Sequence, residues 1–239
     1  LTECGATIQK TSVIPSFTGD IPMHARVGIS VGILALFSAP LFSPVEAQDA
    51  RMNFFLTSVG PGDGANLGGL AGADRYCAKL AAEAGSTKTQ WHAYLSATAK
   101  APAGPVHAKD RIGTGPWYNY KGVQIAKDIA ELHGENKLTK ATVLTQKGDT
   151  VNGRGDSPNR HDILTGSNPD GTLATAGEDN TCSDWTSNLA TGGALVGHFD
   201  RIGGGANPTS WNSAHRSSGC GQKNLQGTGG DGLFYCFAL

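Results

Sequence analysis

"GLAGADRYCAKLAAEAG", residues 69–85, is the stretch from which the rest of the fold is read. Ala73, Cys77, Leu80, Ala81 and Ala84 recur at the spacing of one helical face, while Asp74, Lys79 and Glu83 fall mostly elsewhere. Gly85 stands where a helix would stop. The spacing predicts a helix with Cys77 on its buried side. Upstream, "MNFFLTSV" (52–59) is apolar and β-prone, and glycine-rich turns follow it; downstream, "WHAYLSAT" (91–98) alternates. Both predict strands. "RIGTGPWYN" (111–119) is a turn region in which Pro116 and the glycines set the backbone. "QIAKDIAELHG" (124–134) spaces Ile125, Ile129 and Leu132 for one face, with Gly134 as its stop, and predicts a second short helix. From about residue 140, short β-segments alternate with long polar loops: "ATVLT", "DILTG", "CSDWTS", "ALVGHF" and "GLFYCFAL". The last is the most apolar and fits a central strand. Strand, helix, strand, helix and then many strands is an α+β layout.

Compartment follows from the other end of the chain. From Met23 the sequence reads as a basic start (His24, Arg26), an apolar run from Val27 to Phe37, and small residues before a cleavage-type site at Val45 and Ala47. Residues 23–47 are expected to be a removable export signal and residues 1–22 an upstream leader, leaving a domain over 48–239. The apolar run is too short for a permanent membrane span, so no stable membrane insertion is expected. The destination is secreted or periplasmic. The leader and signal hold two of the 19 basic and three of the 20 acidic residues, so the remainder carries no net charge. Such a chain has no overall field to draw in nucleic acid. Of five cysteines, Cys4 lies in the leader, and Cys77, Cys182, Cys220 and Cys236 remain. In an exported chain without CxxC spacing, four cysteines predict two disulfides; three pairings are open.

"GADRYC" (72–77), "WHAYLS" (91–96), "LTGSNPDG" (164–171), "CSDWTS" (182–187), "WNSAH" (211–215) before "GC" (219–220), and "LFYC" (233–236) occur in this order. The ordered set, with its four cysteines, resembles the C-type-lectin-like fold, and more closely its endostatin-like branch, which includes bacterial exported relatives of unassigned function. It covers most of residues 53–239. The resemblance implies two short helices packed on mixed, mainly antiparallel short strands, with long loops closed by two nested disulfides, Cys77–Cys236 and Cys182–Cys220. Kinship of fold does not settle activity, and the expected role is that of a binding module rather than an enzyme, one that recognises a glycan or an extracellular protein through the loop face around the inner disulfide. Candidate ligand-binding residues are Trp211, Asn212, His215, Arg216, Asn168, Asp170 and Trp185. Sugar-binding members hold calcium through motifs that fall here on Asn168 and Asp170, with Glu178 nearby, and on Asn212. Asp170, Glu178 and Asn212 are thus the calcium candidates. Asn168 stands where a carboxylate is wanted and Ser213 replaces the aspartate after Trp-Asn, which removes much of the charge calcium needs.

Two other features belong to different functions. "NGRGDSPN" (152–159) contains the adhesion triplet Arg154-Gly155-Asp156 in a turn-rich segment. Among the seven histidines, His161 sits beside Asp162 and His198 lies two residues from Asp200. In a strand, positions i and i+2 share a face, so a metal pair is allowed. No HExxH spacing and no G-x-S-x-G elbow appears. The alternative to a binding module is therefore a metal-dependent or hydrolytic enzyme using His161, His198 and His215. It requires those histidines to meet one another and a carboxylate.

Overall fold

The computed structural model describes residues 12, 16, 47–98 and 104–239. The expected leader and signal, apart from Ser12, Ser16 and Ala47, lie outside the described residues. The architecture is mixed α+β, with four helices among the described residues and small antiparallel sheets. The central sheet has the order β1 (Phe54–Leu56), β8 (Tyr235–Ala238), β2 (Trp91–Ala93), all antiparallel. β8 is buried throughout and is the middle strand, as its apolar sequence predicts. Its register pairs Phe54 with Phe237 and Phe55 with Cys236. Because side chains alternate across a sheet, Phe54, Leu56, Tyr235 and Phe237 face one core, while Phe55, Trp91, Ala93 and Cys236 face the other.

Helix α1 (Gly69–Glu83) lies over the second face. It buries Ala73, Cys77, Leu80 and Ala81, four of the five residues its periodicity selects. Cys77 reaches β8 and bonds Cys236, with their Cα atoms 5.6 Å apart. On the same helix Asp74 receives the Ala93 N–H at 2.9 Å and the Arg111 guanidinium at 2.6 Å, tying α1 to β2 and to the 3-10 turn Ala108–Arg111. Cys182 bonds Cys220, Cα atoms 5.7 Å apart, so the two bridges nest as expected. No helix among the described residues is long and apolar enough to cross a membrane.

Three local expectations are corrected. The stretch 124–134 is not one helix. Gln124–Ala126 is strand β4, paired with β3 (Trp117–Tyr118), and helix α2 begins only at Ile129 and ends at Leu132. Asp128 caps it by accepting the Glu131 N–H at 2.8 Å, and Glu131 accepts the Lys127 N–H in return. "CSDWTS" is not a strand either. Cys182–Trp185 form a single turn, α3, with φ of +49°, +56°, +54° and +65°: a left-handed turn made without glycine. Third, two helices are too few: α4 (Gln222–Thr228) has no counterpart in the periodicity of the sequence.

Candidate metal centre

The third sheet joins β5 (Asp162–Leu164), β6 (Leu195–His198) and β7 (His215–Arg216), antiparallel throughout. Asp162 stands opposite His198, and His215 stands opposite Val196. Residues 196 and 198 share a face, so the sheet carries Asp162, His198 and His215 onto one side. His161, just ahead of β5, stacks on His198 with ring centroids 4.3 Å apart and planes 8° off parallel. His215 meets His198 edge-on at 5.0 Å.

Three imidazoles thus converge on one oxygen. The Nε2 atoms of His161, His198 and His215 lie 3.1, 3.3 and 3.4 Å from Oδ1 of Asp162. A tetrahedral zinc-type site with bonds of about 2.0–2.1 Å has ligand–ligand edges of about 3.3–3.4 Å, close to these three contacts on Oδ1. The ligand atoms of His161, Asp162 and His198 all lie within 4.8 Å of one another, with His215 outside that group and touching Asp162 from its edge. The outward-facing nitrogens fix the protons. His161 Nδ1 faces Asp200 Oδ1 at 3.2 Å, His198 Nδ1 faces the Pro208 carbonyl at 2.8 Å, and His215 Nδ1 faces the Arg216 carbonyl at 3.2 Å. Each partner is an acceptor, so each Nδ1 can carry a hydrogen, and a ring in its neutral form then turns an Nε2 lone pair toward the carboxylate. Lone pairs aimed at an anion repel unless a cation lies among them. Consistent with that, both carboxylate oxygens of Asp162 and Nε2 of His198 are buried with no hydrogen-bond partner.

The surroundings favour positive charge at this point. Burial pushes the Asp162 carboxyl up, but the imidazoles of His198 and His215 outweigh it and hold the pKa below the usual aspartate range. Contact with Asp162 raises the His215 pKa despite its partial burial. Asp200 is likewise held low: burial raises it, while His161 and the backbone N–H groups of Arg154 and Ile202 prevail. Those amides lie 2.6 and 3.2 Å from its carboxylate. Two buried aspartates supply the charge that a divalent cation would need, with Asp200 also orienting the His161 imidazole. Glycine lets the loop after β6 close over the site, since a methyl at Gly203 would fall 2.1 Å from Cε1 of His198.

The centre is closed on the inside and open at one edge. The side chains of Asp162, His161 and His198 are at most 3% exposed, whereas that of His215 is 24% exposed. His161 and His215 line a cavity of about 520 Å³ together with Arg154, Asn159, Gly205 and the end of α4. Three imidazole nitrogens and one carboxylate oxygen suit zinc or a neighbouring transition metal; calcium requires six to eight oxygens.

The sequence-predicted ligand face is rearranged. Trp211 is 3% exposed and packs against Tyr94, Tyr235 and His133, with ring centroids 4.7, 5.2 and 5.8 Å away. Its flat face is spent in the core. Asn212 is also buried, and its amide donates to the Tyr94 hydroxyl at 2.9 Å and to the Asn168 carbonyl at 3.0 Å. Asn168 turns its own amide onto Thr172 and Leu173. Trp185 is buried and donates its indole N–H to the Ser96 carbonyl at 2.8 Å. The calcium candidates do not assemble: Asp170 holds Thr172 and pairs with Lys109, Glu178 pairs with Arg216, and Asn212 is in the core. Among the described residues, the metal-competent grouping is His161, Asp162 and His198. Arg216 remains at the surface on the Asp179 carbonyl, and His215 is the one ligand-face candidate that joins the centre. In the adhesion triplet, Asp156 is held by Lys140 and by the Gly153 N–H, while Arg154 borders the cavity.

We expect Trp211→Ala to cost about 3–5 kcal/mol in urea unfolding, as a large buried ring does. Metal binding should persist in the folded fraction. Retained stability would place Trp211 outside the core.

The sequence paired the polar groups by adjacency, His161 with Asp162 and His198 with Asp200. The fold keeps His161 on Asp162 through Nε2, adds Asp200 at its Nδ1, and sets His198 on Asp162 rather than on Asp200. No protein-family model matches the chain, and no curated protein matches it.

Proposed function

We propose that this protein is an exported metalloprotein whose working centre holds a zinc-type divalent cation through His161, His198, His215 and Asp162. The observation that carries this reading is the meeting of three Nε2 atoms on one buried, unpaired carboxylate oxygen. Outward acceptors on all three rings support it, because they leave the lone pairs for a metal. The scaffold is read as an endostatin-like version of the C-type-lectin-like fold. The nested disulfides, the central terminal strand and the helix fastened to it support that kinship. Binding remains the role, but its first partner is a cation, and the recognition face moves from Trp211 to the cavity beside His215.

The full chain, stripped with a chelator and dialysed against zinc, is expected to retain one equivalent per chain. Retention of none, or of calcium in preference to zinc, contradicts the reading.

A further inference from the structure

The cavity beside the centre has an unbalanced wall. Arg154 lines it, and no aspartate or glutamate does. Among the described residues the Arg154 guanidinium has no ion-pair or hydrogen-bond partner; only its backbone N–H is engaged, on Asp200. Nearly every other arginine in the described part of the chain rests on an acceptor: Arg51 on Asp49, Arg111 on Asp74, Arg160 on Asp231, Arg201 on the Leu138 carbonyl and Arg216 on Glu178. Asn159 adds a second unspent donor, because its Oδ1 accepts the His161 N–H at 3.3 Å while its Nδ2 has no acceptor among the described residues. The carbonyls of Leu225 and Gln226, at the end of α4, are not free. Gly230 and Gly229 already donate to them.

From this wall we infer that the cavity is a ligand site for an oxyanion head group, a carboxylate or phosphate, seated between the metal and Arg154. The inference rests on the metal reading above and adds the class of ligand. His215 is the half-open edge of the centre and lines the same cavity, so an anion entering there meets the cation on the His161–His215 side. A zinc-type centre held closely by three protein ligands, as His161, Asp162 and His198 would hold it, keeps a position for an outside ligand and can expand to five-coordination, which would leave room for one anionic oxygen beside His215. A second oxygen of the same group would then face the guanidinium, whose planar fork suits carboxylate and phosphate alike.

The test uses the full chain loaded with cobalt(II), whose visible absorption reports coordination number. Acetate and inorganic phosphate are titrated separately, and the tighter of the two identifies the head group. A saturable loss of the four-coordinate spectrum with at least one anion is expected, and Arg154→Gln should weaken that anion about tenfold or more while cobalt affinity stays unchanged. Asn159→Ala should weaken it by a smaller factor. A normal cobalt spectrum that neither anion alters overturns this inference and leaves the metal centre standing. Equal anion affinity in Arg154→Gln overturns it too. Failure to take up cobalt at all overturns both.

Discussion

The His198→Ala variant is expected to lack the zinc-induced rise in stability that the proposed centre predicts for the unaltered chain. A ligand that binds only the folded state stabilises it by RT ln(1 + [L]/Kd), about 2.7 kcal/mol at a hundredfold excess over Kd. For a domain of this size that is a rise of roughly 5–10 °C in Tm. His198 is fully buried and central: it stacks on His161, meets His215 edge-on and faces Asp162 across the strand pair. Its removal takes one of four ligands, and the loss in zinc affinity should exceed the roughly 10–100-fold typical of an outer partner. Asp200→Asn should fall within that smaller range, because the amide can still hold His161 but no longer supplies charge. The measurement is thermal unfolding with and without zinc, each variant referred to its own zinc-free midpoint. That reference removes the cost of the space left by the imidazole. A full zinc shift in His198→Ala would contradict the assignment.

The same centre predicts a pH dependence. Metal binding needs neutral imidazoles, so protons compete as pH falls through about 6.5, the ordinary histidine range. His215 is raised above that range by Asp162, so its competition begins at a higher pH than for a free histidine. Zinc affinity should therefore fall on acidification, and zinc uptake near neutrality should release protons into a weakly buffered solution.

The second large effect lies in the inner disulfide. Removing it with Cys182→Ala and Cys220→Ala together is expected to cost about 4 kcal/mol on the chain-entropy estimate for this span. One end of the bridge is a left-handed turn, and left-handed backbone costs roughly 1–2 kcal/mol per non-glycine residue. Several contacts besides the bridge hold that turn. Asp184 accepts the Thr98 N–H and hydroxyl, both at 2.6 Å. Asp179 accepts the N–H groups of Thr181 and Ser183, at 2.8 and 2.6 Å, and the Trp185 indole holds Ser96. Without the bridge, strain at 182–185 has fewer constraints against it, and the loops that carry β6 and β7 lose their shared anchor. Urea unfolding of the double variant checks this. A change within about 0.5 kcal/mol, the level of an inconsequential surface substitution, would show that the hydrogen bonds alone hold the turn.

What the sequence disclosed, and what it hid, has physical causes in particular residues. Helix α1 was legible because its apolar positions keep one period for four turns and a glycine ends it. β8 was legible because a strand buried on both faces needs no polar alternation. The 124–134 stretch misled because Ile125, Ile129 and Leu132 fit a helical face by spacing alone. Asp128, whose carboxylate accepts the Glu131 N–H, marked the true start as an N-cap does. The turn at 182–185 could not be read, since four successive residues with side chains rarely take positive φ. The proposed metal ligands escaped motif reading for a different reason. They come from three strands and a loop residue, brought together by antiparallel register rather than by spacing along one element. "HD" at 161–162 and "HFD" at 198–200 were the visible traces, and only the cross-strand register shows which histidine meets which aspartate.

The most direct measurement is X-ray absorption at the zinc edge of the zinc-loaded full chain. The account predicts one zinc with three imidazole nitrogens and one carboxylate oxygen at about 2.0–2.1 Å, and loss of one imidazole signature in His198→Ala. A sulfur ligand, a shell of oxygens without imidazole scattering, or an unchanged spectrum in the variant would contradict it.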